Sequence, residues 1–293
     1  MITRRDFLSY SAAALALRPL ARGPAAQKTL LDQVRAGKPI QGVDVIDSHA
    51  HFQKTTDNLI WPLNVEMLLG DMNRCGIGQA IASPFAGFLA TTGDELIAAH
   101  DQCVEAVAKN PKSLRAYLVF HPHLLKTSEA EMRRALPAAS PFVGFKLHGA
   151  IHQYPADGVN YQPVYEFASQ HGLPVLNHQM GGVERIGPVM KRYPRLTMIL
   201  AHMAFLPATE TIALLKEHPN LFVDTCSSTM PFRHLEKFVR EVGAHKILFG
   251  SDATYLSLGP QVAKVAFAGI SEEEKLLIFG GNARRIFGSH LTG

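Results

Sequence analysis

Two histidines separated by one residue, His49 and His51, close the stretch Val43-Asp-Val-Ile-Asp-Ser-His-Ala-His51, which begins as an alternating apolar run. In an extended strand, residues i and i+2 project to one face, so the two imidazoles can grip a single ion. Imidazole is the commonest neutral metal ligand, and its second ring nitrogen usually needs an acceptor. Asp47, on the same predicted face, is a candidate for that acceptor. Standing alone, the pair is equally compatible with ordinary polar residues where a strand meets a loop. Further polar side chains close later apolar runs: Lys146 and His148, His178, His202, Asp224 and Asp252. Three histidines and an aspartate brought together would suit Zn2+ and tolerate Mn2+ or Fe2+. Such an ion lowers the pKa of bound water and polarises a carbonyl, and Asp252 beside it can act as general base. No Gly-x-Ser-x-Gly elbow or cysteine-containing catalytic signature occurs, which counts against covalent serine or cysteine chemistry.

These residues can meet only if the elements carrying them converge. Apolar runs predict strands at Val43–Asp47, Gln79–Ser83, Arg115–Phe120, Phe142–Leu147, Leu173–His178, Leu196–His202, Leu221–Thr225 and Lys246–Asp252. Between them, 3.6-residue periodicity and stop signals predict helices over 65–75, 94–109, 128–136, 162–170, 183–193, 207–217, 231–242, 260–267 and 271–287. Eight strands, each followed by a helix, match a (β/α)8 TIM barrel of one domain, and near-continuous apolar strands suit a parallel sheet buried on both faces. A doubly wound open sheet is the competitor, but no Gly-rich phosphate turn follows the first strand. In such a barrel the strand ends share one mouth, which selects the residues above from the other histidines. His100, His171, His218, His234 and His245 fall on helices and connections and read as surface or helix-terminus residues. His121-Pro-His123 reads as a loop pair away from the site, while Phe52 and Trp61 either cover the mouth or pack.

The N-terminal 26 residues read separately. Paired Arg4 and Arg5 precede the apolar stretch Leu8–Leu17 and the small-residue region Gly23–Ala26, an order that resembles a twin-arginine export signal of bacteria. The expected organisation is a signal peptide at 1–26, a lead-in at 27–42 and the barrel at 43–293, with the mature protein periplasmic or extracellular. The leader carries four arginines and Asp6, a net of +3, so the chain's +4 leaves about +1 for the remainder. No basic patch implies nucleic acid, and no membrane span is expected in the mature chain. Three cysteines are too few for a disulfide framework and read as buried free thiols, although Cys226 falls near a strand end.

Taken together, Asp47-Ser-His-Ala-His51, Gly144-Phe-Lys146, His178, Ala201-His202, Gly250-Ser-Asp252 and Gly281-Asn-Ala283 resemble the amidohydrolase superfamily. The likeness is strongest to its amidohydrolase-related branch, which mixes hydrolases with non-oxidative decarboxylases. The resemblance implies that His49, His51, His178 and Asp252 are metal ligands. It implies that His202 orients water or polarises substrate, or binds a second metal. Lys146 is then either a carboxylated bridge between two metals or a free amine pairing with Asp252 or a substrate carboxylate; the branch favours one metal. His148 and Asp224 are expected to line the pocket for a small-molecule substrate, and relatives imply a homodimer. Hydrolysis of an amide, lactone or ester is the first expectation, with Asp252 shuttling the proton. Decarboxylation of an aromatic or unsaturated acid is the alternative.

Overall fold

Strands that are apolar on both faces must be covered by helices outside and filled by side chains inside. In the computed structural model, residues 29–52, 64–137, 139–227 and 229–291 are described. Eight parallel strands run in chain order around one sheet. They are β1 (Ile46–Phe52), β2 (Gln79–Pro84), β3 (Leu114–Val119), β4 (Phe142–His148), β5 (Val175–His178), β6 (Met198–Leu200), β7 (Leu221–Asp224) and β8 (Ile247–Leu248). The ring closes where the chain beyond β8 runs beside β1: Ser48 N–H donates to the Phe249 carbonyl at 2.9 Å, and Ala50 pairs with Ala253. The chain therefore forms the expected (β/α)8 barrel.

One side chain from each strand fills the interior: Ile46, Ile81, Tyr117, Val143, Leu176, Ile199, Phe222 and Leu248. Phe287 and Leu291 pack against this layer. Gln79 and Arg115 fasten that C-terminal segment by donating to the carbonyls of Leu291 and His290, each at 3.0 Å. A larger apolar layer, including Ala50, Leu118, Phe145 and Phe249, lies between strands and helices.

The register of β1 decides what reaches the mouth. Asp47 pairs with Ala80, yet Ala50 pairs with Ala82, so β1 advances one residue more than β2 through a bulge. Ile46 faces the interior, and strict alternation would carry Ser48 and Ala50 inward after it. The extra residue reverses this parity: Ala50 joins the outer layer, and His49 and His51 turn into the barrel.

Several boundaries differ from the sequence reading. His49 and His51 lie within β1 rather than just beyond it. β6 and β8 stop at Leu200 and Leu248, which leaves His202 and Asp252 on the loops that follow, both with φ of 61°. The single helix expected over 271–287 is interrupted by a π turn at Leu277–Gly281, where the chain crosses the start of β1. A Cβ on Gly280 would sit 1.8 Å from the Asp44 carbonyl oxygen, so only glycine permits this approach.

Among the other histidines, His171 and His245 are exposed as expected. His100 instead lies on the buried face of Gly93–Lys109 with Leu96 and Cys103, its Nδ1 2.8 Å from Glu131; His218 and His234 are buried too. Cys103 and Cys226 are buried free thiols, and Cys75 is half-buried. The export-signal reading and Trp61 lie outside the described residues, as does the side chain of Phe52. In the lead-in, Thr29 caps the helix Leu30–Arg35, and Leu30 N–H donates to Glu272 at 3.0 Å, tying this helix to the barrel. No helix among the described residues is long and apolar enough to cross a membrane.

Candidate metal centre

The two β1 histidines reach the mouth with their outer nitrogens already engaged. His49 Nδ1 lies 2.7 Å from Asp224 Oδ2, and His51 Nδ1 lies 3.0 Å from Ser83 Oγ. If each Nδ1 carries the ring proton, each Nε2 keeps a free lone pair. Lys146 Nζ, a donor, stands 2.7 Å from His49 Nε2, which requires that nitrogen to accept. Asp47, anticipated as the ring acceptor, serves the backbone instead: its Oδ1 accepts from His49 N–H and Ser251 N–H, and its Oδ2 from the Ser251 hydroxyl. Burial raises the Asp47 carboxyl to about 7 despite these donors. Asp224 took the role assigned to Asp47 because the bulge turned the histidine rings away from their own strand neighbour.

Asp252 faces both inner nitrogens. Its Oδ1 is 2.8 Å from His51 Nε2 and 3.5 Å from His49 Nε2. Three atoms bound to one ion at about 2.1 Å stand about 3.0–3.4 Å apart at tetrahedral or octahedral angles. The observed 2.8 and 3.5 Å lie just either side of that range, and two neutral nitrogens and one carboxylate oxygen suit a borderline divalent cation. Burial pushes His49 down to about 3, reinforced by Lys146, so it is neutral and ready to ligate near neutrality. Burial alone would raise Asp252, but His51 and His49 hold it well below the usual carboxylate range. Lys146 is wholly buried, and burial brings its amine down to about 8. It therefore belongs to the metal-facing cluster rather than to the open substrate pocket.

A second group of ligand atoms comprises His49, His202 and Cys226. His178 does not belong to either converging group among the described residues. Its ring packs instead between His148 and His202, with centroids at 4.0 and 4.5 Å, on the wall of the mouth. His148 lines the same wall and accepts the Ile151 N–H at 3.2 Å, which fixes its ring. The sequence reading of Asp224 as a pocket residue requires correction. It is wholly buried behind His49, with both oxygens occupied by His49, His202 N–H and Cys226.

The mouth opens into a cavity of about 300 Å3, bounded by His51, His148, His178, His202 and Asp252 on one side. Phe85, Ile151, Phe205, Tyr255 and Leu256 form its apolar walls. Phe85 and Tyr255 are nearly parallel, 12° apart with centroids at 6.1 Å. These aromatics carry no local sequence signal, since they come from the segments that follow three different strands, β2, β6 and β8. His121 and His123 stay outside the cavity lining, with His121 packed on His152 at 4.0 Å.

The fold and this donor set define a (β/α)8 barrel whose mouth carries ligand atoms that could hold a divalent metal ion. Residues 46–289 match the model of the amidohydrolase family, and the chain belongs to that family. No curated protein matches the chain by sequence. Among solved structures, 2,6-dihydroxybenzoate decarboxylase in complex with 2,6-dihydroxybenzoate is similar at 19% identity and a TM-score of 0.68, covering 84% of this chain and 98% of that one. A 5-carboxyvanillate decarboxylase from Sphingomonas paucimobilis is similar at 18% identity and a TM-score of 0.67, covering 84% and 99%. A dihydroxybenzoic acid decarboxylase from a Polaromonas species, with bound manganese and 2-nitroresorcinol, gives 17% and 0.69, covering 84% and 97%.

Proposed function

We propose that this chain is a divalent-metal-dependent enzyme that hydrolyses a C–N or C–O bond, in an amide, lactone or ester, of a small molecule. The observation that carries this reading is the convergence of His49 Nε2, His51 Nε2 and Asp252 Oδ1 beside a cavity that His202 also enters. His178 completes the ligand set in this reading, with Zn2+ the first choice of ion and Mn2+ or Fe2+ the alternatives. The ion supplies Lewis acidity for a carbonyl and for water. Asp252 takes the proton released by attacking water and passes it to the leaving group, while His202 orients that water. Phe85, Phe205 and Tyr255 orient an apolar ring and exclude bulk water.

A second reading is decarboxylation of an aromatic acid, favoured by the likeness to the dihydroxybenzoate and carboxyvanillate decarboxylases. In this reading the substrate carboxylate would bind at the ion. Carbon–carbon cleavage would then release CO2, and Asp252, having taken a proton from water, would pass it to the ring carbon. Chain length does not separate the readings, because the matches span 98–99% of those decarboxylases. Metal-loaded protein should be offered aromatic esters, lactones, amides and carboxylates in 18O-water. Incorporation of 18O into product supports hydrolysis; CO2 release without it overturns hydrolysis in favour of the second reading.

The paired arginines Arg4 and Arg5 support export to a periplasmic or extracellular location, and the family resemblance supports a homodimer. Retention inside the cell on replacing both arginines by lysine tests the first, and analytical ultracentrifugation the second.

A further inference from the structure

We propose that Cys226 is a positioning residue: its thiol, held by Asp224, fixes His202 with the proton on Nδ1 and the unprotonated Nε2 free for the reacting mouth. The inference rests on the reading of that mouth as the reaction centre. A wholly buried thiol usually acts as a small apolar filler. Cys226 instead has three polar neighbours: its Sγ is 3.0 Å from Asp224 Oδ1, 3.1 Å from His202 Nδ1 and 3.1 Å from His49 Nδ1.

Proton counting selects one arrangement. Asp224 Oδ1 accepts the backbone N–H of His202 at 2.8 Å and that of Cys226 at 3.2 Å, so it is an acceptor. The thiol proton therefore points to that oxygen, and the sulfur retains only lone pairs for the two imidazoles. Lys146 already requires a lone pair at His49 Nε2, which places the His49 proton on Nδ1, shared between Asp224 Oδ2 and the sulfur. His202 Nδ1, facing a sulfur with no proton left to give, must donate. In its neutral form His202 then carries its lone pair on Nε2. The same carboxylate thus holds His202 twice, directly at its backbone and through sulfur at its ring. This double grip also maintains the left-handed backbone of His202, with φ of 61°.

The test is two-bond proton–nitrogen NMR of the 15N-histidine-labelled, Zn2+-loaded full chain, with the His202 signal assigned by its loss in His202→Asn. The wild type should show the Nδ1–H tautomer, Cys226→Ser should keep it, and Cys226→Ala should admit the Nε2–H form. A wild-type Nε2–H tautomer would overturn the proposal even if Cys226→Ala fails to fold, as would an unchanged tautomer in folded Cys226→Ala. In Co2+-loaded protein, a sulfur-to-cobalt charge-transfer band would also overturn it, because Cys226 would then be a ligand. In turnover, Cys226→Ala should lower kcat by about 10- to 100-fold at unchanged KM, the range for loss of an orienting partner, and Cys226→Ser should restore it. Equal loss in both variants would count against positioning. If the wild type turns over none of the substrates above, the functional reading fails while the NMR still decides the tautomer.

Discussion

Replacing Asp224 by asparagine should cost metal affinity with little loss of fold, because the change exchanges one acceptor for a donor at constant shape. The Asp224 carboxylate receives His49 Nδ1–H at 2.7 Å, His202 N–H at 2.8 Å, Cys226 N–H at 3.2 Å and the Cys226 thiol at 3.0 Å. An asparagine oxygen can keep the three donors on the His202 side. Its NH2 then faces His49 Nδ1 and needs a lone pair there, which drives the His49 proton to Nε2. That nitrogen is the one 3.5 Å from Asp252 Oδ1 and required by the ion. The hydrogen bond surrendered is charge-assisted and contributes about 1.5–3 kcal/mol. At about 1.4 kcal/mol per factor of ten, ion binding should weaken by about 10- to 100-fold. Competition of Zn2+ or Mn2+ between the protein and a chromophoric chelator measures this, with circular dichroism confirming the fold. Wild-type affinity in a folded Asp224→Asn variant would refute the reasoning, since His49 would then not depend on Asp224 for its tautomer. Asp224→Ala should behave differently: four buried donors lose their acceptor, at about 1–3 kcal/mol each, so the metal-free protein itself should lose most of its stability.

Three further outcomes are expected. Ser83→Ala removes a neutral partner 3.0 Å from His51 Nδ1 and should weaken ion binding by about tenfold or less in the same chelator competition, a smaller loss than in Asp224→Asn. Burial, with the charge of a neighbouring histidine, lowers His121 to about 4 and His152 to about 3, below the ordinary value of 6.5. As the pH falls, the unfolded chain therefore takes up protons first, and the stability from the neutral pair is complete above pH 6.5 and lost towards pH 4 and then 3. The Tm of the metal-free protein should drop across that window and drop less in His152→Gln; parallel curves would contradict the assignment. Asn282→Ala should destabilise the fold by about 2–4 kcal/mol in urea unfolding, because Asn282 Nδ2 donates at 2.8 Å to the buried carbonyls of Ala244 and Ile247 that frame the start of β8.

The sequence exposed the repeat more clearly than the register. Each of the eight strands overlaps its expected run because buried parallel strands leave unbroken apolar runs, and the helix Val65–Cys75 matched to the residue because Asn64 and Gly76 mark its ends chemically. The His-x-His pair was legible for the same local reason. The identity of its supporting acceptor was not, because it depends on a bulge between β1 and β2 that no local pattern announces. Alternation alone favoured Asp47, whereas pairing across the barrel selected Asp224. The π turn escaped for a similar reason: the close passage of Gly280 over Asp44 joins residues from opposite ends of the barrel domain.

The early ends of β6 and β8 connect this legibility limit to the chemistry. A ladder continued to His202 and Asp252 would place their side chains by strict alternation and commit their backbone groups to neighbouring strands. Instead both residues adopt φ of 61°, a conformation that a non-glycine residue holds only when its surroundings supply the difference. For His202 the compensation is its N–H to Asp224 Oδ1 at 2.8 Å; for Asp252 it is its N–H to the His49 carbonyl at 2.7 Å. Both compensating groups come from residues that also hold or form the candidate metal centre. The backbone strain and the ligand geometry are therefore secured by the same contacts: His49 fixes the chain that carries Asp252, and Asp224 fixes both His49 and the chain that carries His202. Loosening either contact should disturb the inner ligands and the loops together, which explains why β7, with no ligand exposed to the cavity, nevertheless contributes its most buried carboxylate to the centre.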